Sequence, residues 1–343
     1  MKKGTFLKRV SAVMAGVMVM SMTALPVFAD EISSVDLKKT VTTDGHTFSP
    51  AATFTFQVAA GEAGKVDNNT VYAGVEGGLV LADGNDFNFT PAEGDPVAAA
   101  YEKAGTITVN KSVFTRPGVY HYQVWEIVPE TDKYEGMDYD EAVRDVYVTI
   151  ENGSDNALEV TAVKVVKEGE TTKADELAFT NIYGEENNNQ DKVYDLLITK
   201  SVTGNQGDKN ADFSFTVKVD GAEGERYQVI KTKQDDTAEE SSVVSRADAA
   251  TYTLKNGESL HIYGLTEGDT YTVNEADYSE DGYTTTNGEN TGNLTANGVE
   301  ITVINDKNVG AATGLAMSVA PYVLMLCAAG AAGGMFLRRK KED

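Results

Sequence analysis

The chain has 343 residues and a formal net charge of −24 at pH 7, from 53 acidic and 29 basic side chains. This acidity argues against nucleic-acid binding and favours a solvated, self-repelling surface protein. The only cysteine, Cys327, excludes a fold braced by disulfides. The three histidines are scattered and no Cys or His cluster has ligand spacing, so we predict no metal site.

Both ends of the chain carry targeting segments. A basic stretch, an apolar run and the small-residue site Val27-Phe28-Ala29 predict that residues 1–29 are a secretory signal peptide. Residues 315–337 are apolar, uncharged and long enough to span a bilayer. The basic tail at residues 338–343 is expected to stay in the cytoplasm. The protein is therefore predicted to be exported and held by its C-terminus, at least before sorting.

Between these segments, short apolar stretches alternate with turns rich in Gly, Asn and Asp, which is typical of an all-β protein. We predict two tandem immunoglobulin-like β-sandwich domains, at residues 30–183 and 193–306. The polar stretch at residues 184–192 has no apolar period and is predicted to be a linker.

The first domain carries two local signals. Residues 146–150 and 158–163 are strand-like and flank a turn at residues 151–154, which predicts a hairpin. Helix signals are weak throughout, and residues 97–103 are the stretch for which we expect one or two helical turns.

The most informative stretch is at residues 196–202, which places a lysine on the core face of a strand. Period two puts Lys200 on the same face as three aliphatic side chains. A buried ammonium is costly unless it is paired or loses its proton, so the position requires a partner. Glu275 and Asn305 each end an otherwise apolar strand face and are the candidate partners.

The same trio occurs earlier in the chain, where Lys39, Glu126 and Asn181 also follow alternating apolar residues. Residues 53–58 follow the first lysine much as residues 212–217 follow the second. We interpret the chain as two copies of one domain. A plain salt bridge and a strand-end asparagine would explain a single trio, but recurrence in the same order favours a shared chemical role.

Residues 117–126 and 271–275, with the strands that end in Asn181 and Asn305, resemble the backbone subunits of Gram-positive, streptococcal-type pili. In that family a buried lysine is joined to an asparagine by a spontaneous amide bond, beside a glutamate. The resemblance implies two triads: Lys39 and Asn181 with Glu126, and Lys200 and Asn305 with Glu275. Lys38 is the alternative in the first triad, but the Lys-x-Val pattern around Lys200 recurs at Lys39 and favours it.

The three residue types suit this reaction. Burial lowers the pKa of a lysine and raises that of a glutamate, so a neutral amine and a protonated carboxyl can coexist. The amine would attack the carboxamide carbon, while the glutamate polarises the carboxamide oxygen and moves protons so that ammonia leaves. Folding holds the groups in contact. The step occurs once per domain, so we predict self-catalysed maturation and not enzyme turnover.

The two glutamates also admit an enzyme interpretation, because paired carboxylates hydrolyse glycosides. Glu126 and Glu275 fall in different repeats, however. The sequence also offers no convincing nucleophile, metal site or cofactor motif, so we predict a structural protein without a cofactor.

Residues 307–314 resemble a degenerate sortase signal. Thr313 and Gly314 match the pair between which sortase cleaves in families of this kind, but Gly310 and Ala311 replace the usual Leu and Pro. We expect cleavage after Thr313. The alternative is that Thr313 and Gly314 form a flexible joint beside the membrane.

Polymerisation also requires a lysine that accepts the next subunit's threonine carbonyl. In the resembling pilins this lysine lies shortly before the bond-forming asparagine. Lys173 is the nearest match, with Lys167 and Lys164 as alternatives.

The sequence thus predicts a structural backbone subunit of a sortase-assembled pilus on the surface of a Gram-positive cell. The expected partners are sortase, identical subunits in a covalent polymer, minor pilins and a host ligand, with the membrane as a transient anchor. The alternative is a monomeric membrane- or wall-anchored adhesin that uses the same domains as a stalk.

Overall fold

The computed structural model describes residues 34–66, 69–82, 84, 86–92, 95–131, 133–167, 176–184 and 193–309. The predicted signal peptide, membrane segment, basic tail and all but the first residue of the linker lie outside these ranges, as do Lys173, Thr313 and Gly314. Within these ranges, no helix has the length and apolar character needed to cross a membrane.

The prediction of an all-β protein is confirmed. The described part of the chain contains 22 strands, and its one helical element is a 3-10 turn at Lys111–Val113. Two compact units divide the chain. Of the described residues, the first contains those up to Thr42 and those within Ala52–Phe89 and Ala100–Tyr183, and the second contains those within Thr43–Ala51, Thr90–Ala99 and from Gly184 onward.

The first unit is built of two sheets. Its strands are β1 (Ser34–Thr42), β2 (Ala52–Ala60), β3 (Gly64–Val66), β4 (Asn69–Ala73), β5 (Leu79–Leu81), β6 (Asp86–Phe89), β7 (Ala100–Val109), β8 (Gly118–Glu126), β9 (Met137–Asp138), β10 (Arg144–Asn152), β11 (Leu158–Lys167) and β12 (Leu177–Tyr183). One sheet has the order β5-β7-β1-β12-β9. The other has the order β11-β10-β8-β2-β6, with β4 beside β8 and β3 beside β4.

Alternating side chains join these sheets into one core. Every second residue of β1 from Leu37 to Val41 is buried, as its period-two pattern requires. Phe56 of β2 and Phe179 of β12 lie with their ring centroids 4.8 Å apart, so the inner faces of the two sheets meet. The first and last strands, β1 and β12, are parallel neighbours.

Of the two local expectations, one is confirmed and one is wrong. Strands β10 and β11 form the predicted antiparallel hairpin. The expected helical turn at residues 97–103 does not form, because from Ala100 the chain is strand β7, which pairs along the whole of β1. Ladder hydrogen bonds to β1 outweigh a weak local helix preference.

The second unit repeats this plan. Its strands are β13 (Tyr194–Thr203), β14 (Phe213–Asp220), β15 (Arg226–Thr232), β16 (Ala238–Val244), β17 (Ala250–Leu254), β18 (Ser259–Leu265), β19 (Thr270–Glu275), β20 (Thr284–Thr286), β21 (Glu289–Asn293) and β22 (Val299–Asp306). The sheets have the orders β16-β15-β18-β13-β22-β20 and β17-β14-β19-β21. Aliphatic and aromatic side chains from both sheets form one buried cluster. The first and last strands, β13 and β22, are again parallel neighbours.

Candidate functional site

Lys39 lies inside the first unit, on the core face of β1. Its side chain is fully buried, and its Nζ lies 2.6 Å from Oε2 of Glu126 and 4.5 Å from the centre of the Phe54 ring. The preceding residue faces the other way, because Lys38 forms an ion pair of 2.7 Å with Glu102 at the surface. The geometry therefore places Lys39, and not Lys38, beside the glutamate.

Asn181 completes a chain of hydrogen bonds in this core. Its Nδ2 donates to Oε1 of Glu126 at 2.7 Å, and its Oδ1 accepts from the backbone N–H of Asp140 at 2.8 Å. Because a backbone N–H only donates, the carboxamide oxygen must face Asp140 and the nitrogen must face Glu126. The expected contact between the glutamate and the carboxamide oxygen is therefore wrong. Glu126 instead bridges the lysine amine and the carboxamide nitrogen.

Burial shifts the pKa values of Lys39 and Glu126 toward each other. Burial lowers the pKa of Lys39, although the neighbouring carboxylate of Glu126 opposes this shift. Burial likewise raises the pKa of Glu126, against the effects of Lys39 and the hydrogen bond from Asn181. Both shifts favour the uncharged pair, in which the proton has passed from amine to carboxylate.

Two further polar residues of this site, Asp140 and Arg144, were not predicted from the sequence. Arg144 is 5% exposed, and its Nη2 lies 2.6 Å from Oδ2 of Asp140. Burial raises the pKa of the Asp140 carboxyl, but hydrogen bonds from Arg144 and the Thr180 N–H outweigh burial and hold that pKa below its ordinary value. The sequence contained a signal for Arg144, because period two places it on the same face of β10 as three buried aliphatic residues.

The second unit holds the other triad in a different state of hydrogen bonding. Nζ of Lys200 lies 2.8 Å from Oε1 of Glu275 and 4.3 Å from the centre of the Phe213 ring, and both charged side chains are fully buried. Burial lowers the pKa of Lys200. Lys200 and Glu275 form an ion pair without an aligned hydrogen bond. Among the described residues, neither polar atom of the buried Asn305 carboxamide has a hydrogen-bond partner.

The two triads occupy equivalent positions in their units. In the parallel pair of β1 and β12, Lys39 lies two residues before the partner of Asn181. In the parallel pair of β13 and β22, Lys200 lies two residues before the partner of Asn305. In each unit the glutamate comes from the other sheet, opposite a phenylalanine of the neighbouring strand. The repeat inferred from sequence is thus a repeat of strand register and side-chain placement.

Comparison with known families gives a match for each unit. Residues 35–184 match the family described as the Spy0128-like isopeptide containing domain. Residues 194–307 match a domain of unknown function, DUF7601.

Two curated proteins from Streptococcus pyogenes are similar to this chain. A protein named "Pilin" from Streptococcus pyogenes serotype M1 is 27% identical over 293 residues, which cover 77% of this chain and 82% of that protein. The pilus tip adhesin Cpa of Streptococcus pyogenes is 34% identical over 88 residues, covering 26% of this chain and 12% of that protein. The predicted resemblance to streptococcal-type major pilins is confirmed.

Solved structures agree on the fold. The crystal structure of the major pilin from Streptococcus pyogenes is 23% identical and covers 81% of this chain and 99% of that chain, with a TM-score of 0.56. The major pilin T3.2 of the same species is 24% identical over the same shares, with a TM-score of 0.51.

Proposed function

We propose that this chain is a structural backbone subunit of a sortase-assembled pilus on a Gram-positive cell surface, braced by self-formed Lys39–Asn181 and Lys200–Asn305 bonds. The observation that carries the proposal is the buried hydrogen-bonded chain from the Lys39 amine through Glu126 to the leaving nitrogen of Asn181. Its two units are inferred to be immunoglobulin-like β-sandwiches, as in the pilins that it resembles.

The contacts in the first unit suit one balanced reaction. Glu126 takes a proton from Lys39, and the free Nζ attacks the Asn181 side-chain carbonyl carbon. A carbon–nitrogen bond to Nζ forms, and the bond to Nδ2 breaks as Glu126 delivers its proton to the departing nitrogen. The regenerated carboxylate then takes the second proton that Nζ must lose. An amine and a carboxamide thus become a secondary amide and one ammonia. Glu126 contacts both nitrogens at 2.6 and 2.7 Å, so one carboxyl group serves both transfers.

The second unit supports the same outcome by a different observation. A buried polar group without a hydrogen bond costs about 1–3 kcal/mol, and the Asn305 carboxamide presents both a donor and an acceptor in this condition. Amide formation with Lys200 expels the NH2 group as ammonia and removes a buried ammonium. The reaction happens once per unit, so the chain is not a turnover enzyme.

The test is the intact mass of the full chain, made by cell-free synthesis and measured after denaturation, together with Glu126→Gln and Glu275→Gln variants. We expect the parent to be lighter than its sequence by two ammonias and each variant by one, with the linked peptides recovered after digestion. A folded parent of unmodified mass would reject the bonds.

Assembly into a pilus rests on the likeness to proteins named as pilins. We propose that sortase cleaves between Thr313 and Gly314 and joins the threonine to Lys173 of an identical subunit, with minor pilins and a host ligand as further partners. Cell-wall extracts should then show a ladder of high-mass species on a denaturing gel. Lys173→Ala should abolish the ladder, whereas Lys164→Ala and Lys167→Ala should keep it.

A second candidate is a monomeric membrane- or wall-anchored adhesin in which the same domains form a stalk. The 34% identity to a pilus tip adhesin over 88 residues favours it. A single surface-bound band in the cell-wall extract, with both internal bonds present, would support this function over the polymer.

A further inference from the structure

We propose that the backbone N–H of Asp140 is the hydrogen-bond donor that activates the Asn181 side-chain carbonyl, and that Arg144 is the residue that positions this donor. The inference rests on the proposed bond between Lys39 and Asn181 and adds the group that activates the carbonyl. The Asp140 nitrogen lies 2.8 Å from Oδ1 of Asn181. When the Lys39 amine adds to the carbonyl carbon, an electron pair moves onto this oxygen, and a donor already aimed at it stabilises the developing charge.

Under this assignment, two different groups act on the Asn181 carboxamide, Glu126 at the nitrogen and the Asp140 N–H at the oxygen. Glu126 contacts the nitrogen of Asn181 at 2.7 Å and is therefore placed to transfer protons. It leaves the oxygen to Asp140. Without the backbone donor, the negative charge would develop on a buried oxygen without this hydrogen bond, where charge is costly.

The donor is held in place by a buried clamp. The Asp140 carboxylate accepts hydrogen bonds from Arg144 Nη2 at 2.6 Å and from the Thr180 N–H at 3.0 Å. The guanidinium also donates to the carbonyl oxygen of Ala178 through Nε and Nη2, at 3.1 and 2.9 Å, and to that of Ala142 through Nη1 at 2.9 Å.

The clamp fixes the donor relative to the acceptor. Ala178 and Thr180 belong to β12, the strand that carries Asn181. The guanidinium also lies 4.5 Å from the ring of Phe179 on that strand. Arg144 therefore ties the segment containing Asp140 to the backbone immediately before the reacting side chain, and a rigid donor contributes more than one that must reorganise.

The second unit lacks this arrangement within the described residues, because Oδ1 of Asn305 accepts no hydrogen bond. The two sites therefore differ in how the carbonyl is activated. The bond at Asn305 thus provides an internal reference in the same molecule, since a change confined to Asp140 should leave its rate unaltered.

The test replaces one backbone amide by an ester. The full chain is made by cell-free synthesis with the α-hydroxy analogue of aspartate at position 140, which removes the N–H and keeps the side chain. Samples are quenched in denaturant over time, and mass with peptide mapping gives the rate of each bond. We expect the Lys39–Asn181 bond to form about 100-fold more slowly, in line with the loss of one oxyanion donor, and the Lys200–Asn305 bond to form at the parent rate.

A matched ester at Met137 separates activation from loss of stability. The Met137 N–H donates to the Tyr134 carbonyl at 3.2 Å in the segment before Asp140, whereas the hydrogen bond to Asn181 Oδ1 comes from the Asp140 N–H. This ester should leave both rates unchanged. Equal slowing by the two esters would overturn the proposal, as would a parent rate for the ester at 140. A parent without the first bond would reject the proposed function as well.

Arg144→Met tests the positioning role. Alone, it should slow the first bond, and Arg144→Lys should restore little of the rate because an ammonium cannot reach Asp140, Ala142 and Ala178 together. Combined with the ester at 140, it should cause no further slowing, because Arg144 acts through the donor already removed. Additive slowing in the combined variant would show that Arg144 acts only on stability and would overturn its role.

Discussion

Replacing the bridging glutamate should separate the covalent bond from the rest of the fold. Glu126→Gln keeps the size of the side chain but replaces one acceptor oxygen by an NH2 group, and it removes the carboxyl that passes the proton. We expect the bond between Lys39 and Asn181 not to form. The chain would then be lighter than its sequence by one ammonia only, the one lost at Asn305.

The loss of stability follows from the loop that the bond closes. The loop spans residues 39–181, about 143 residues, for which cross-link entropy gives roughly 5 kcal/mol of unfolding free energy. The variant also leaves a buried Lys39 beside a neutral amide, which adds to this loss. At about 2–4 °C per kcal/mol for a domain of this size, the melting temperature of the first unit should fall by roughly 10–20 °C.

The assay is thermal unfolding followed by the fluorescence of Trp125, the only tryptophan, which lies on β8 beside the substituted residue. Glu102→Gln is the matched control, because it removes an exposed partner of Lys38 and should change neither the loss of two ammonias relative to the sequence nor unfolding. The reasoning fails if Glu126→Gln is still lighter than its own sequence by two ammonias. It also fails if the bond is lost while the unfolding midpoint stays the same.

Three further changes give separate tests. Glu275→Gln should abolish only the link between Lys200 and Asn305, and peptide mapping that finds this link intact would contradict its assignment. Burial, with Asp145 nearby, raises the pKa of Tyr147 to about 12 from its ordinary 10.0. The folded-state pKa is the higher one, so about 3 kcal/mol of stability is present below pH 10 and lost as the pH rises to 12. Tyr147→Phe should flatten the fall in unfolding free energy over this range, and an equally steep fall would refute the linkage. Gly221→Ala should lower the thermal midpoint of the second unit, at a cost of about 1–3 kcal/mol, because a Cβ there would overlap the Tyr227 hydroxyl; an unchanged midpoint would count against it.

The reacting side chains could be found from the sequence because each interrupts an apolar period. A lysine on a core face is costly enough that its presence at Lys39 and Lys200 demanded an explanation. The strands β1, β8 and β12 follow their alternation closely. Arg144 gave the same signal at the start of β10 and could have been found in the same way.

Other features could not be read from residue types. The donor at Asp140 is a backbone N–H, which every residue except proline carries, so only its position beside Asn181 makes it useful. The orientation of the carboxamide depends on that donor and could not be assigned either. Strand β7 was missed because its pairing with β1 is a tertiary interaction that local propensity does not report.

The shared strand register explains why bonds at these positions would protect a fibre. Each unit places its lysine on the first strand and its asparagine on the last, and these strands are parallel neighbours. In the polymer proposed above, tension enters at Lys173, follows the chain through β12 into β13 and leaves through β22. With the proposed bond in place, the load in the second unit passes from Lys200 directly to Asn305, and the residues between them carry none of it. Hydrogen bonds between strands yield under sustained force, whereas an amide bond must be cleaved, so the second unit would resist extension without disulfides, while the Lys39–Asn181 bond would anchor β12 in the first unit.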